Sequence, residues 1–179
     1  MVTVEHRAPM VVRAATSADF PTCLALNETF VRFLSPLTLL RLGELHRQAA
    51  LHAVVEYETR VIAFLLGFRE NTLYDSVNYQ WFERRHARFL YVDRVVVDGA
   101  VEARGAGTLL YEHVFELARS AGVPRVACEI DIDPPNPVSQ RFHAKFHFLE
   151  VGRQMVAGGR KMVSLQMATT APPFKPDKP

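Results

Sequence analysis

The stretch that most constrains this chain is Val97-Asp98-Gly99-Ala100-Val101-Glu102-Ala103-Arg104-Gly105-Ala106-Gly107-Thr108-Leu109-Leu110. In it a β-branched run breaks into small residues and reopens as an amphipathic helix. Glycine adopts backbone angles that other residues resist, so a turn built on Gly105 and Gly107 aims successive amides at one point just before a helix N-terminus. The helix end adds roughly half a positive charge, and its first amides have no partner inside the helix. Such a cradle suits a pyrophosphate. The Lys-Ser/Thr ending of a P-loop is missing and the three-glycine dinucleotide fingerprint is incomplete, so neither motif accounts for the loop. On local spacing alone, a glycine turn that merely starts a helix is the competing reading.

A chain of 179 residues fits one compact domain with a substantial core. Its formal charge of +2 argues against a nucleic-acid binder working through a large basic surface. With Cys23 and Cys128 the sole thiols, and with no charged-then-apolar leader, a reducing cytoplasm is expected rather than secretion. No membrane association is expected, because the longest apolar stretches, such as Val61 to Phe68, are strand-sized. No metal site is expected either.

Period and punctuation give the elements. Met10 to Ala14 reads as a short strand, after which Thr16 or Ser17 with Asp19 caps a helix carrying Cys23, Leu24, Leu26 and Asn27. Pro36 opens a second helical region with Leu37, Leu40, Leu45 and Ala49 on one face. His52 to Tyr57 and Arg60 to Phe68 read as paired strands, and Asn71 to Arg88 as a polar-aromatic insert without strand alternation. Phe89 to Val97 is a central strand, Thr108 to Ala121 a packed helix with Gly122 at its cap, and Pro124 to Asp131 a parallel strand reached by a right-handed crossover. Asn136 with Pro137 starts another helix, and Leu149 to Gln154 with Lys161 to Met167 close a final hairpin. The stretch from Thr169 to Pro179 has too little apolar content to fold alone.

The block Glu129-Ile130-Asp131-Ile132-Asp133-Pro134-Pro135-Asn136-Pro137-Val138-Ser139-Gln140-Arg141-Phe142-His143-Ala144-Lys145-Phe146-His147-Phe148 joins the loop in one pattern. Together they resemble the GNAT acetyltransferase superfamily. Its acyl-CoA loop reads Arg/Gln-x-x-Gly-x-Gly/Ala, matched here from Glu102 to Gly107 with Glu102 at the first position. Its later motif reads Asn-x-x-Ala/Ser-x-x-Phe/Leu-Tyr/His-x-x-x-Gly-Phe. Asn136, Ser139, Phe142, His143 and Phe148 fall on it in order, while His147 replaces the glycine. The resemblance spans roughly Arg13 to Met167. A closer likeness is to a bacterial GNAT subgroup with Tyr-Val-Asp-Arg before the loop and Asp-Pro-Pro-Asn-Pro after it, here Tyr91 to Arg94 and Asp133 to Pro137.

The resemblance implies an α/β (α+β) GNAT fold: a mixed, mostly antiparallel central sheet, a parallel pair of central strands splayed around the acyl-CoA, and helices on both faces. It implies one domain over residues 1–168, with residues 169–179 a flexible tail. Acetyl-CoA is the implied cosubstrate, held by the backbone near Val95 and Val97, by Glu102, Ala103, Arg104, Gly105, Ala106, Gly107 and Thr108, and by Asn136 and Ser139. The implied reaction is direct attack of a primary amine on the thioester. That chemistry needs a proton acceptor, a stabilised oxyanion and an outlet for the thiolate.

His143 falls where many relatives place a tyrosine beside the CoA sulfur and is the candidate general acid, against a packing role along its helix. Glu129 and Asp93, carboxylates on the strands flanking the slot, are the candidate bases. The competing readings are an ion pair of Asp93 with Arg94 or Arg85 and a salt link of Glu129 under the Pro-rich loop. The acceptor pocket is implied at Asn27, Phe33, Ser35, Asn78, Tyr79 and Trp81, where aromatics also suit a small core. A small-molecule or amino-acid-like amine is the expected partner and a homodimer the implied assembly. The competing function is a catalytically inactive GNAT-fold protein that binds CoA or regulates.

Overall fold

The computed structural model describes residues 9–100 and 105–171. The elements run β1 (Val11–Ala14), α1 (Phe20–Thr29), α2 (Leu39–Gln48), β2 (Leu51–Tyr57), β3 (Arg60–Arg69), α3 (Val77–Glu83), β4 (Leu90–Val97), α4 (Ala106–Ser120), β5 (Arg125–Asp133), α5 (Pro137–Ala144), β6 (Leu149–Val156) and β7 (Lys161–Thr169). The strands form one seven-stranded sheet in the order β1-β2-β3-β4-β5-β7-β6. It is mostly antiparallel. The β4 and β5 strands are parallel, with Leu90 opposite Val126 and Tyr91 opposite Ala127, which a helical crossover through α4 makes necessary. The mixed sheet with one parallel pair is the architecture that the sequence motifs imply.

The residues divide into two compact units, one holding the chain up to Leu66 with Arg94–His113, the other Gly67–Asp93 with Val114 onward. In the first, β1 pairs antiparallel with β2 from Val11–Glu56 to Ala14–Ala53. Asp19 ties the approach to α1. Its carboxylate accepts from the Thr16 amide at 2.8 Å and from Arg13 Nη1 and Nη2 at 2.8 and 2.9 Å, a fork that fixes strand against helix. Behind α1, His46 and His52 meet Nδ1 to Nδ1 at 2.9 Å, so one ring donates and the other accepts. Burial among Phe20 and Phe64, with His46 alongside, pushes His52 down to about 4 and keeps it neutral.

In the second unit, β7 pairs antiparallel with β5 over Arg125–Thr169 to Asp133–Met162, and with β6 on its other side. The α4 helix ends as its glycine foretells. Gly122 sits at φ +62°, Val123 N donates to Ala118 O at 2.8 Å and Gly122 N to Arg119 O at 2.9 Å, a Schellman closure. His147 at φ +60° occupies the left-handed position that glycine fills in the motif, so the turn survives the replacement.

Several boundaries move. The second helix begins at Leu39 rather than near Pro36, because Thr38 supplies the cap, its Oγ1 accepting from Arg41 N at 3.1 Å. The insert at 71–88 contains helix α3, started by Ser76 and buried through Asn78, Tyr79 and Phe82. The α4 helix starts at Ala106, two residues before Thr108. The β7 strand runs to Thr169, and Thr170 is buried with Oγ1 donating to Val123 O at 2.7 Å. Those two residues of the expected tail therefore belong to the fold, while residues 172–179 lie outside the described part.

Candidate active site

One face of the parallel pair gathers two carboxylates and two tyrosines. Strand alternation puts Tyr91 and Asp93 on the same side of β4. The register of Tyr91 with Ala127 then carries Glu129, two residues along β5, to that same side. Tyr91, fully buried, donates from its hydroxyl to Glu129 Oε2 at 2.6 Å. Tyr74, also buried, donates a short hydrogen bond to Asp93 Oδ1. Helix α3 roofs this face. The Tyr79 ring lies edge-on to Tyr91 at 5.7 Å and the Phe82 ring 5.9 Å from it, while the buried Asn78 on the same helix accepts from Gln154 Nε2 at 2.9 Å.

These surroundings work against ionisation of Glu129. Burial is the largest effect and the neighbouring Asp93 carboxylate adds to it. The Tyr91 donor opposes them, and Glu129 is left pushed up to about 7. Burial among carboxylates likewise drives the Tyr91 phenol well above its usual range, so it stays a donor. A carboxylate balanced near neutrality, with its proton exchangeable at working pH, is what general-base chemistry asks for. Asp131, two residues on, pairs with Lys161 at 2.8 Å, so the described salt link in this part of β5 is not the one that the competing reading gave to Glu129.

The loop expected to hold the cofactor is described from Gly105 onward. That residue has φ +91°, a conformation in which a side chain is strained, and among the described residues beyond its chain neighbours no atom lies within 4 Å of where a Cβ would project. Its carbonyl accepts from Leu109 N at 3.0 Å, so the α4 amides begin at this open point. An open, positive-φ glycine at the start of a 15-residue helix fits a phosphate group of CoA. Ala106, Gly107 and Thr108 form the first turn, with Thr108 exposed. Glu102, Ala103 and Arg104 lie outside the described residues. Val95 and Val97 are half-buried on β4.

The remaining expected residues are dispersed. Asn136 caps α5, its side chain accepting from Ser139 N at 3.1 Å. His143 is buried, with Nδ1 2.8 Å from Ser139 O and 3.2 Å from Ser139 Oγ. A carbonyl only accepts, so Nδ1 carries the proton, and burial lowers the ring's affinity for a second one. That geometry favours a neutral imidazole packed edge-on against Phe142 and Phe148, each 5.3 Å away, over a proton donor.

Of the acceptor candidates, Asn27 is buried and bridges. Its Oδ1 accepts from Arg94 Nη1 at 2.8 Å and its Nδ2 donates to Ser35 O at 3.2 Å. Arg94 and Asn27 thus pin the loop carrying Ser35, while Phe33 lies 5.7 Å beneath the Arg32 guanidinium. Tyr79 spends its hydroxyl on Thr72 N, Arg69 O and Glu83, each within 3.0 Å. Trp81 lies on the β6 backbone, where a Cβ at Gly152 would meet its ring at 2.6 Å, and Arg85 stacks on it at 4.1 Å. Asn78 is buried on α3, its Oδ1 accepting from Gln154 Nε2 at 2.9 Å. Sequence reasoning missed Tyr74 and Tyr91, although Tyr91 stands in alternation with Asp93.

The acetyltransferase (GNAT) family model matches residues 18–148, and the chain belongs to that family. Solved structures of similar fold include Ard1 from Thermoplasma volcanium, with TM-score 0.72 and 15% identity over 89% of this chain and 97% of that one. The ribosomal-protein-S18-alanine N-acetyltransferase from Escherichia coli gives TM-score 0.69 and 13% identity over 93% and 97%. YncA from Salmonella typhimurium, solved with its cofactor acetyl-CoA, gives 0.69 and 16% over 95% and 99%. No curated protein matches at a comparable level. This is therefore an acetyltransferase of the GNAT family. No helix of the described residues is long and apolar enough to cross a membrane.

Proposed function

We propose that this protein transfers an acetyl group from acetyl-CoA to the primary amine of a small-molecule or amino-acid-like acceptor, with Glu129 as general base. The observation that carries the reading is the Glu129 carboxylate, held by the Tyr91 hydroxyl at 2.6 Å on the strand face that also carries Asp93, and pushed up to about 7. Bound acetyl-CoA supplies the activated acyl group as a thioester. Gly105, Ala106, Gly107 and Thr108 at the start of α4 would hold its phosphates, and the β4 backbone near Val95 and Val97 its pantetheine arm.

An amine reaches the site mostly protonated and is not nucleophilic in that form. Glu129 accepts the proton from nitrogen, and Tyr91 holds the carboxylate in place for the transfer. Asp93, bonded to Tyr74, places a second negative charge near the incoming ammonium. Two free buried thiols, Cys23 and Cys128, support a reducing cytoplasm as the place of work. The test is release of CoA thiol from acetyl-CoA across a panel of amines over pH 5.5–9. Turnover that needs one of the amines and rises with pH through about 7 supports the reading. CoA binding with no turnover for any amine points to the binding-protein alternative.

A further inference from the structure

The arginines of this chain divide into two groups. Arg13, Arg41, Arg69, Arg119 and Arg153 each stand within 3.2 Å of a carboxylate oxygen. Arg84, Arg85, Arg88 and Arg125 are exposed, and among the described residues none of them makes an ion pair. These four are gathered at one end of the parallel pair. Arg84 and Arg85 follow α3, whose Phe82 ring lies 6.2 Å from that of Phe89, immediately before β4. Arg88 precedes Phe89 and donates from Nη2 to Ala121 O, just past α4, at 3.2 Å. Arg125 opens β5 one residue before Val126, which is opposite Leu90, so it stands at the same end of the sheet as Arg88. Glu83, the acid next to them in sequence, is committed elsewhere, accepting from Tyr79 Oη at 2.9 Å and from Asn71 N at 3.0 Å.

Three of the four guanidinium groups are anchored while most of their donors stay open. Arg85 lies over the Trp81 ring at 4.1 Å and donates to Trp81 O at 3.1 Å, and Arg84 reaches Gln80 Oε1 at 3.3 Å. Each guanidinium has five N–H donors, and these contacts use one on each of Arg84, Arg85 and Arg88. Four positive charges in a chain of formal net charge +2 leave the remainder net negative, so this end is where an anion is drawn. We propose that Arg84, Arg85, Arg88 and Arg125 form a docking surface for an acidic, Asp- and Glu-rich segment of a partner protein. The planar fork of arginine matches a carboxylate with two parallel hydrogen bonds, and bound carboxylates relieve the repulsion among the four charges. RNA phosphates offer similar charge, but single strands are also held by stacking. Trp81, the sole tryptophan, already carries Arg85 on its ring and packs against Gly152, so it is engaged as a structural contact and not as a platform for a base. The proposal is independent of the reading of Glu129 as base.

The test follows the fluorescence anisotropy of a labelled oligo-glutamate peptide of about ten residues, titrated with the full chain. Saturable binding is expected at low salt, weakening at least about tenfold between about 50 and 300 mM salt as the exposed charges are screened. The double variant Arg88→Gln, Arg125→Gln leaves the Arg85–Trp81 stack in place and is expected to bind at least about tenfold more weakly than the parent. The control double variant Arg47→Gln, Arg60→Gln, at exposed arginines on α2 and at the start of β3, is expected to stay within about twofold of the parent. Arg84→Gln with Arg125→Gln serves if the first pair does not fold. Absence of saturable binding, equal losses in the test and control variants, or tighter binding of an oligouridylate of the same length overturns the proposal.

Discussion

Asp19 and Glu129 are both carboxylates withdrawn from water, and their surroundings drive them in opposite directions. Asp19 meets a two-pronged Arg13 guanidinium and the Thr16 amide, and its hydrogen bonds to Arg13 outweigh burial and hold it far below the usual carboxylate range. Glu129 receives a phenol but also faces Asp93, and burial wins. The sign for stability follows. Asp19, with its folded affinity for protons depressed, contributes stability that is present above about pH 4 and lost as pH falls further. Glu129, raised from 4.5 to about 7, contributes stability that is present below 4.5 and lost as pH rises through 7. Above pH 7 its ionisation costs on the order of 3 kcal/mol. One carboxylate holds the fold together at working pH, whereas the other is maintained at the fold's expense, a pattern expected of groups kept for chemistry.

The comparison is tested most severely by Glu129→Gln. Turnover at saturating acetyl-CoA is expected to fall by about 10² to 10⁴, the usual contribution of a general base, and the rise of rate through about pH 7 to vanish. The same variant is expected to melt higher than the parent at pH 8 and with the parent at pH 5. A loss of stability at pH 8 would place Glu129 with Asp19. Next in size is Gly105→Asp, which adds a carboxylate and a strained backbone at the open start of α4. CoA affinity by calorimetry is expected to fall at least about 100-fold, whereas Glu129→Gln leaves it within about twofold. A folded Gly105→Asp protein with parental affinity would put the phosphate site elsewhere.

Asp19→Ala sharpens the other side. It removes a forked ion pair and the cap ahead of α1, so a loss of about 2 kcal/mol is expected at pH 7, tempered by the partial exposure of Arg13. Denaturation at several pH values should show that difference closing only below about pH 4. Kinetic constants for the folded variant should match the parent. An altered pH–rate profile would show that the two carboxylates are coupled after all.

The fold was legible because its signals are local. Asn136 before Pro137, Gly122 after α4 and the valine-rich β4 each encode a cap or a strand within a few residues, and each is found in place. Glu129 and Asp93 were also legible as strand carboxylates, since period-2 alternation fixes their sides. What alternation does not show is which partner crosses from another element. Gln154 reaches Asn78 across 76 residues, and Tyr74 reaches Asp93 from a segment with no pattern of its own. Asn27, Tyr79 and Trp81 stood out as polar or aromatic residues in the right segments. Their hydrogen-bonding and packing capacity is engaged by Arg94, Glu83 and the Gly152 backbone, which only tertiary contact reveals.

His143 gives the smallest expected effect and tests whether burial alone marks a catalytic group. It is as withdrawn from water as Asp19, but its Nδ1 proton is committed to Ser139 O and burial lowers its affinity for another. A general acid must carry its proton at the pH where the base has lost its own. Glu129 is ionised mainly above about 7, where an imidazole lowered from 6.5 is almost wholly neutral, so few molecules would hold both groups in working form. Water can protonate a departing thiolate, since a thiol of ordinary pKa near ~8.5 needs little help. His143→Ala is therefore expected to lower turnover less than about tenfold, to leave the rise through pH 7 unmoved, and to lower stability by about 1–3 kcal/mol through the space left between Phe142 and Phe148. Single-turnover kinetics across pH, run beside denaturation, separates the two effects. A fall of 100-fold or more in the chemical step, or the disappearance of a descending alkaline limb, would return His143 to the reaction and make burial, rather than the balance of charges around Glu129, the better guide to function in this fold.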